Sequence, residues 1–198
     1  MPAPTAPSVR RLRSTARAML PFPEPESWLD VDTGDADFPA AARAFFPYTA
    51  FDGLDPTPRV LHAQAAERLE EGYQGRLTDP WLTAHLRARY DVVSLLNPHA
   101  DPAELRAALT VLRPGGHLLV ESPADPRAEL ESRGCVIIAT ARRSAHVPAR
   151  LTARLPGTPP GPPARAAGAL DHALALLLAG TRLARAYRVI ARKEPSAP

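Results

Sequence analysis

The stretch from Tyr90 to Glu121 constrains the fold of this chain more than any other. Tyr90-Asp91-Val92-Val93-Ser94-Leu95-Leu96 is a nearly continuous apolar run, the pattern of a parallel strand covered on both faces. Asp101-Pro102-Ala103-Glu104 follows. Asp101 is placed to cap a helix, Pro102 suits the first helical position, and Glu104 can return a bond to the cap. Leu105, Leu109 and Leu112 then recur at helical spacing and give that helix a buried stripe. Pro114-Gly115-Gly116 stops it, and His117-Leu118-Leu119-Val120-Glu121 reads as the next strand. Two apolar strands joined by an amphipathic helix make a right-handed parallel crossover. The chain is therefore expected to build an α/β sheet.

Proline punctuates the rest, supplying 24 of 198 residues. Pro21, Pro23 and Pro25 form a stiff lead-in to Trp28. Leu29 to Val31 and Ala50 to Leu54 read as short strands, Pro39 to Phe46 as a helix, and Pro58 to Glu71 as a helix closed by Gly72. Pro80 to Arg89 reads as a third helix. Beyond Glu121, a helix from Pro126 to Arg133 stopped by Gly134 leads to a strand from Cys135 to Ala139. Pro156 to Pro163 is too proline-rich for regular structure; a helix over Ala164 to Leu178 and a last strand over Ala186 to Ala191 follow it. The division is a basic, proline-rich segment (1–27), one domain (28–194) with the loop 156–163 inside it, and a tail (195–198).

Cys135 is the lone cysteine, which excludes an internal disulfide and a cysteine-based zinc cluster. No apolar run reaches the ~18 residues of a membrane helix. The cytoplasm is the expected location, and the near absence of lysine among 24 basic residues resembles a GC-rich bacterial gene. The net charge of +3 invites a nucleic-acid reading. Most arginines are scattered and matched by acids, so no nucleic-acid partner is expected. The exception is the amino terminus, where Arg10, Arg11, Arg13 and Arg17 precede the first acid, Glu24. That segment reads as a solvated tail or a short helix with Val9, Leu12, Ala16 and Leu20 roughly on one face.

Ligands of open α/β sheets bind at the carboxyl ends of the strands. The first such end reads Leu29-Asp30-Val31-Asp32-Thr33-Gly34-Asp35-Ala36-Asp37, the second Phe51-Asp52-Gly53-Leu54-Asp55. A glycine-containing turn, with an acid 25 residues after Asp30 at Asp55, suits a nucleoside whose ribose hydroxyls bond the acid. Asp30, Asp32, Asp35 and Asp37 crowd the turn with negative charge. A pyrophosphate is repelled there, whereas a ligand bearing a sulfonium and an ammonium is not. That points to S-adenosylmethionine.

Together with Tyr90-Asp91-Val92-Val93-Ser94 and Leu112-Arg113-Pro114-Gly115-Gly116-His117-Leu118-Leu119-Val120-Glu121, these segments resemble class I S-adenosylmethionine-dependent methyltransferases. The resemblance covers Trp28 to Glu121, with Tyr187 to Arg192 as a final strand. It implies a Rossmann-like, mostly parallel sheet with helices on both faces and a last antiparallel strand. It also implies that Asp30, Thr33 and Gly34 hold the methionine part of the cofactor, that Asp55 holds the ribose and that Asp79 lies by the adenine. The glycine pattern departs from the family's acid-x-Gly-x-Gly-x-Gly, because Asp32 and Ala36 stand where glycines are usual. Either residue in a left-handed conformation carries strain.

The implied activity is methyl transfer to a small molecule. The alternative is an inactive member of the fold serving as a scaffold or regulatory partner, and an arginine-rich nucleic-acid binder is a third class. His99, at the end of the Tyr90 strand, is the candidate general base. No metal is expected, since Asp30-x-Asp32-x-Gly34 lacks the further acids of a calcium loop and its twelfth position is Ala41. Asn97-Pro98 lacks the second proline and the tyrosine of the amino-methyltransferase signature. Cys135 and His172 read as packing residues.

Overall fold

A computed structural model describes residues 9–96, 102–144 and 185–195. In chain order these form α1 (Val9–Arg17), β1 (Ser27–Val31), α2 (Asp37–Ala42), β2 (Ala50–Asp55), α3 (Arg59–Ala65), β3 (Gly72–Gln74), α4 (Pro80–His85), β4 (Tyr90–Leu95), α5 (Pro102–Val111), β5 (Leu112–Ser122), α6 (Arg127–Ser132), β6 (Cys135–Ser144) and β7 (Arg185–Lys193). The seven strands make one sheet in the order β3-β2-β1-β4-β5-β7-β6. The first five in that order run parallel, and β7 runs antiparallel to β5 and β6. The expected α/β sheet with a final antiparallel strand is what forms.

Strand alternation sorts the core into two layers, because successive side chains of a strand point to opposite faces. Trp28, Phe51, Val92, Leu119 and Ile190 pack on one face against Leu12, Phe38 and Val60 from α1, α2 and α3 and against Phe46 from the connection after α2. Leu29, Val31, Leu54, Val93, Leu118 and Val120 face the other way, against Leu82, Leu105, Leu109 and Leu130. Trp28 is fully buried at the centre of the first layer, with the rings of Phe38, Phe46 and Phe51 each 5.5 Å from its own. No described helix is long and apolar enough to cross a membrane.

Several boundaries differ from the sequence reading. α3 ends at Ala65 rather than Glu71, because Glu67 turns left-handed (φ 57°). Arg68 N–H then bonds the Ala63 carbonyl and Glu67 N–H that of Gln64, a Schellman ending with glutamate in the usual glycine position. Gly72 does not close that helix; it opens β3 at the sheet edge. α4 stops at His85, and left-handed Ala88 (φ 50°) redirects the chain into β4. Leu112, read as helical, pairs with Tyr90 at the start of β5. α1 buries Leu12 and Ala16 as expected but leaves Val9 exposed, and Leu20 lies exposed beyond its end. Pro156–Pro163 and the expected helix over 164–178, with His172, lie outside the described residues.

α1 is fastened to the sheet by charge. Glu121, buried near the end of β5, accepts from Arg188 Nε at 2.8 Å, Thr15 Oγ1 at 2.7 Å and Arg11 Nη2 at 2.9 Å. The charge of Arg188 and these three bonds outweigh burial and pull the Glu121 carboxyl down to about 2. Arg188 Nη1 also donates to the Ser14 carbonyl at 3.0 Å. The cluster therefore ties α1, β5 and β7 into one unit.

Candidate cofactor site

The carboxyl ends of β1, β2 and β4 meet at three carboxylates. Asp30 pairs in register with Ser94 across β1 and β4. Ser94 Oγ donates to Asp30 Oδ1 at 2.6 Å and itself accepts from Trp28 Nε1 at 3.0 Å. Asp30 is only 3% exposed, and desolvation pushes its carboxyl up to about 7. The hydroxyls of Ser94 and Thr33 act against that shift, while the charges of Asp32 and Asp55 add to it. Asp30 is thus a carboxyl poised near neutrality at the root of the turn.

The turn itself keeps a left-handed residue at every second position: Asp32 (φ 56°), Gly34 (φ 56°) and Ala36 (φ 60°). These are the three places where the methyltransferase pattern has glycine, and only one of them is glycine here. Neither substituted residue can adopt that conformation without roughly 1–2 kcal/mol of strain. The surroundings therefore enforce the shape. Thr33 N–H bonds the Leu54 carbonyl at 3.1 Å. Gly34 N–H donates to Asp55 Oδ2 at 2.9 Å. Gly53 leaves room for the loop: a Cβ there would lie 2.7 Å from Thr33 Cγ2.

Asp55, buried at the end of β2, is engaged through both oxygens. Oδ2 takes the Gly34 amide, and Oδ1 takes the Thr57 amide at 2.8 Å and the Thr57 hydroxyl at 2.5 Å. Arg59, at the start of α3, lies across the turn, its Nη2 3.0 Å from where a Cβ on Gly34 would stand. It pairs with Asp35 through Nε at 3.0 Å, and Arg68 bonds the Asp35 carbonyl at 3.1 Å. Two arginines thus balance the acidic turn. Thr33 Oγ1 is buried beside the Asp30 carboxyl without a well-formed hydrogen bond, which leaves it capacity that a polar ligand group would satisfy.

Four of the expected residues, Asp30, Thr33, Gly34 and Asp55, therefore come together. Asp79 is exposed and spends its carboxylate capping α4, accepting from Trp81 N–H at 2.8 Å. Two residues on, Trp81 is 69% exposed and stacks flat on His85, centroids 5.2 Å apart. His99, the candidate base, lies outside the described residues. Ser94, Thr57 and Arg59 were not singled out by sequence. A lone hydroxyl inside the run Val92–Leu95, and a threonine two residues after Asp55, were the available signals. A groove of about 430 Å³ lined by Phe22, Asp91, Arg113 and His117 lies at the opposite, amino-terminal edge of the strands. Among the described residues, no three potential metal ligands cluster.

No protein-family model matches the sequence, and no curated protein matches it. Solved structures match it along nearly its whole length. An S-adenosylmethionine-dependent methyltransferase from Archaeoglobus fulgidus superposes with a TM-score of 0.58 at 16% identity, covering 94% of this chain and 95% of that one. The YcgJ protein from Bacillus subtilis gives 0.57 at 14%, covering 93% and 100%. The chain has the class I methyltransferase fold. The 4+2 cyclase SpnF shares it at a TM-score of 0.62 and 15% identity, with 94% of this chain and 82% of that one covered. The methyltransferase fold therefore hosts more than one chemistry, and what this chain does has to be argued from its own residues.

Proposed function

We propose that this protein binds S-adenosylmethionine at the turn after β1 and transfers its methyl group to a small molecule. The observation that carries this reading is the turn's backbone. Left-handed conformations persist at Asp32, Gly34 and Ala36 although two of the three residues resist them, and such strain is kept where a site needs the shape. The neighbouring groups fit the same ligand. The Asp30 carboxylate suits the cofactor's ammonium and the Thr33 hydroxyl its amino-acid end. Asp55 suits the ribose through the remaining acceptor capacity of Oδ2. Asp79, with the exposed Trp81 two residues on, is assigned to the adenine.

When bound, the cofactor supplies an electrophilic methyl group on a sulfonium. The chain's part is to hold donor and acceptor in line, since positioning supplies most of the acceleration in such a transfer. His99 is assigned the acceptor's proton.

A second reading is an inactive scaffold that kept the fold. It is favoured by Asp55, whose oxygens already hold Gly34 and Thr57. Thermal unfolding with S-adenosylmethionine, S-adenosylhomocysteine and NAD separates the two. A ligand at 100 times its dissociation constant stabilises by about 2.7 kcal/mol, a midpoint rise of roughly 5–10 °C for a domain of this size. A rise with both adenosyl ligands and none with NAD is expected. No rise at saturation moves the protein into the scaffold class.

A further inference from the structure

We propose that the outer face of α1 is a docking surface for single-stranded nucleic acid, separate from the cofactor site. α1 carries four arginines in nine residues and no acid in its first turn. Arg11 turns inward to Glu121, but Arg10, Arg13 and Arg17 all point to solvent. None of these three pairs with an acid among the described residues. They fall at i, i+3 and i+7, one helical face, with steps of about 4.5 and 6 Å along the axis.

Two of the three are held in place. The Arg13 and Arg17 guanidiniums lie over the same ring, Phe45, at 5.6 and 5.3 Å from its centroid. Stacking of this kind fixes the plane of the guanidinium and leaves its edge donors facing solvent. Arg10 in the first turn opposes the helix dipole while Arg17 in the last turn is favoured by it, and α1 holds no acid four residues from any of the three to pair with it. The row is legible instead as an electrostatic track, the signature of phosphate-backbone recognition.

The chemistry favours a nucleic-acid strand over the other polyanions. A guanidinium fork matches phosphate oxygens two at a time, and a flexible strand can bring successive phosphates to a linear row. A protein partner would want an apolar centre depleted of charge, whereas the one ring here is already covered by two cations. A membrane would need a continuous apolar face on α1, and of that face Leu12 and Ala16 are buried inward, which leaves only Val9 and, beyond the helix, Leu20 exposed.

The test is fluorescence anisotropy of a labelled 20-nucleotide oligo-dT with the intact protein, across a salt series. Three phosphate contacts on a single strand give a slope of log K against log salt near −2, at about 0.7 per contact. Arg13→Gln/Arg17→Gln is expected to weaken binding at least tenfold and to flatten the slope by about 1.4, with the thermal midpoint measured alongside. Arg10→Gln, which leaves the Phe45 stack intact, gives an independent reading, expected to flatten the slope by about 0.7. Absence of binding at low salt overturns the proposal. So does binding that neither variant alters, or equal binding of poly-glutamate, which would assign the row to an acidic protein.

Discussion

The backbone N–H of Gly34 donates to Asp55 Oδ2 at 2.9 Å, so the turn after β1 and the end of β2 are one construction. The same carboxylate holds the Thr57 amide and hydroxyl. Asp55→Ala leaves the buried Gly34 N–H without an acceptor, costing about 1–3 kcal/mol, while the exposed Thr57 amide can turn to water. A loss of about 2 kcal/mol is expected by urea unfolding. The rise in midpoint with S-adenosylhomocysteine should vanish in the same variant. A variant that keeps the full rise would remove Asp55 from the site.

Asp30 sets a pH dependence whose sign is opposite to that of an ion-paired acid. Burial raises its carboxyl from 3.8 to about 7, so between those values the unfolded chain is ionised while the folded one holds its proton. Stability from this group is complete below pH 4 and falls as pH rises toward 7, by on the order of 4 kcal/mol. Asp30→Asn keeps a neutral group of the same shape and should abolish that slope. Denaturation of both proteins from pH 5 to 8 measures the difference. Trp28 reports on it directly, because its indole N–H reaches Asp30 through Ser94. In a Trp81→Phe background, Trp28 emission should titrate near pH 7 and lose that titration with Asp30→Asn.

Glu121 has the ordinary sign. Arg188, Thr15 and Arg11 hold its carboxyl near 2, so its contribution is present above pH 4.5 and disappears as pH falls through 2. Glu121→Ala strands the Arg188 side chain, which is 8% exposed, without its counter-charge. Breaking a buried pair from one side costs about 3–5 kcal/mol. Hydrogen exchange should show the amides of α1 losing protection first, since the cluster is the polar tie between α1 and β5. Uniform loss over the whole sheet would contradict that role.

Much of this was legible in the sequence, and the exceptions have physical causes. β1, β2, β4 and β5 are apolar runs ended by glycine, proline or aspartate, and the spacing of Asp30, Gly34 and Asp55 marks a nucleoside site. β3 has three half-exposed or exposed residues and no apolar pattern; only its pairing to β2 makes it a strand. α3 is closed by left-handed Glu67 rather than by a glycine, held by the local bonds to the Gln64 and Ala63 carbonyls. The Ser94–Asp30 bond joins residues 64 apart in sequence, and the overlay of Arg59 on Gly34 needs two loops to fold together. Local pattern carries none of that information.

Asp32 decides whether the altered turn is a lapse or an adaptation. It is held left-handed at φ 56°, where glycine is strain-free, and it is partly buried beside Asp30. Asp32→Gly should relieve about 1 kcal/mol of strain and remove one negative charge that helps keep Asp30 protonated. Two readouts follow from those two effects. The urea midpoint should rise, and the Trp28 titration should move to lower pH. The cofactor experiment then discriminates between the readings of the site. If the turn binds S-adenosylmethionine as it stands, Asp32→Gly changes affinity by a small factor, because the backbone shape is already present. If the carboxylate blocks the approach, affinity appears only in the variant, and the natural protein belongs with the scaffolds.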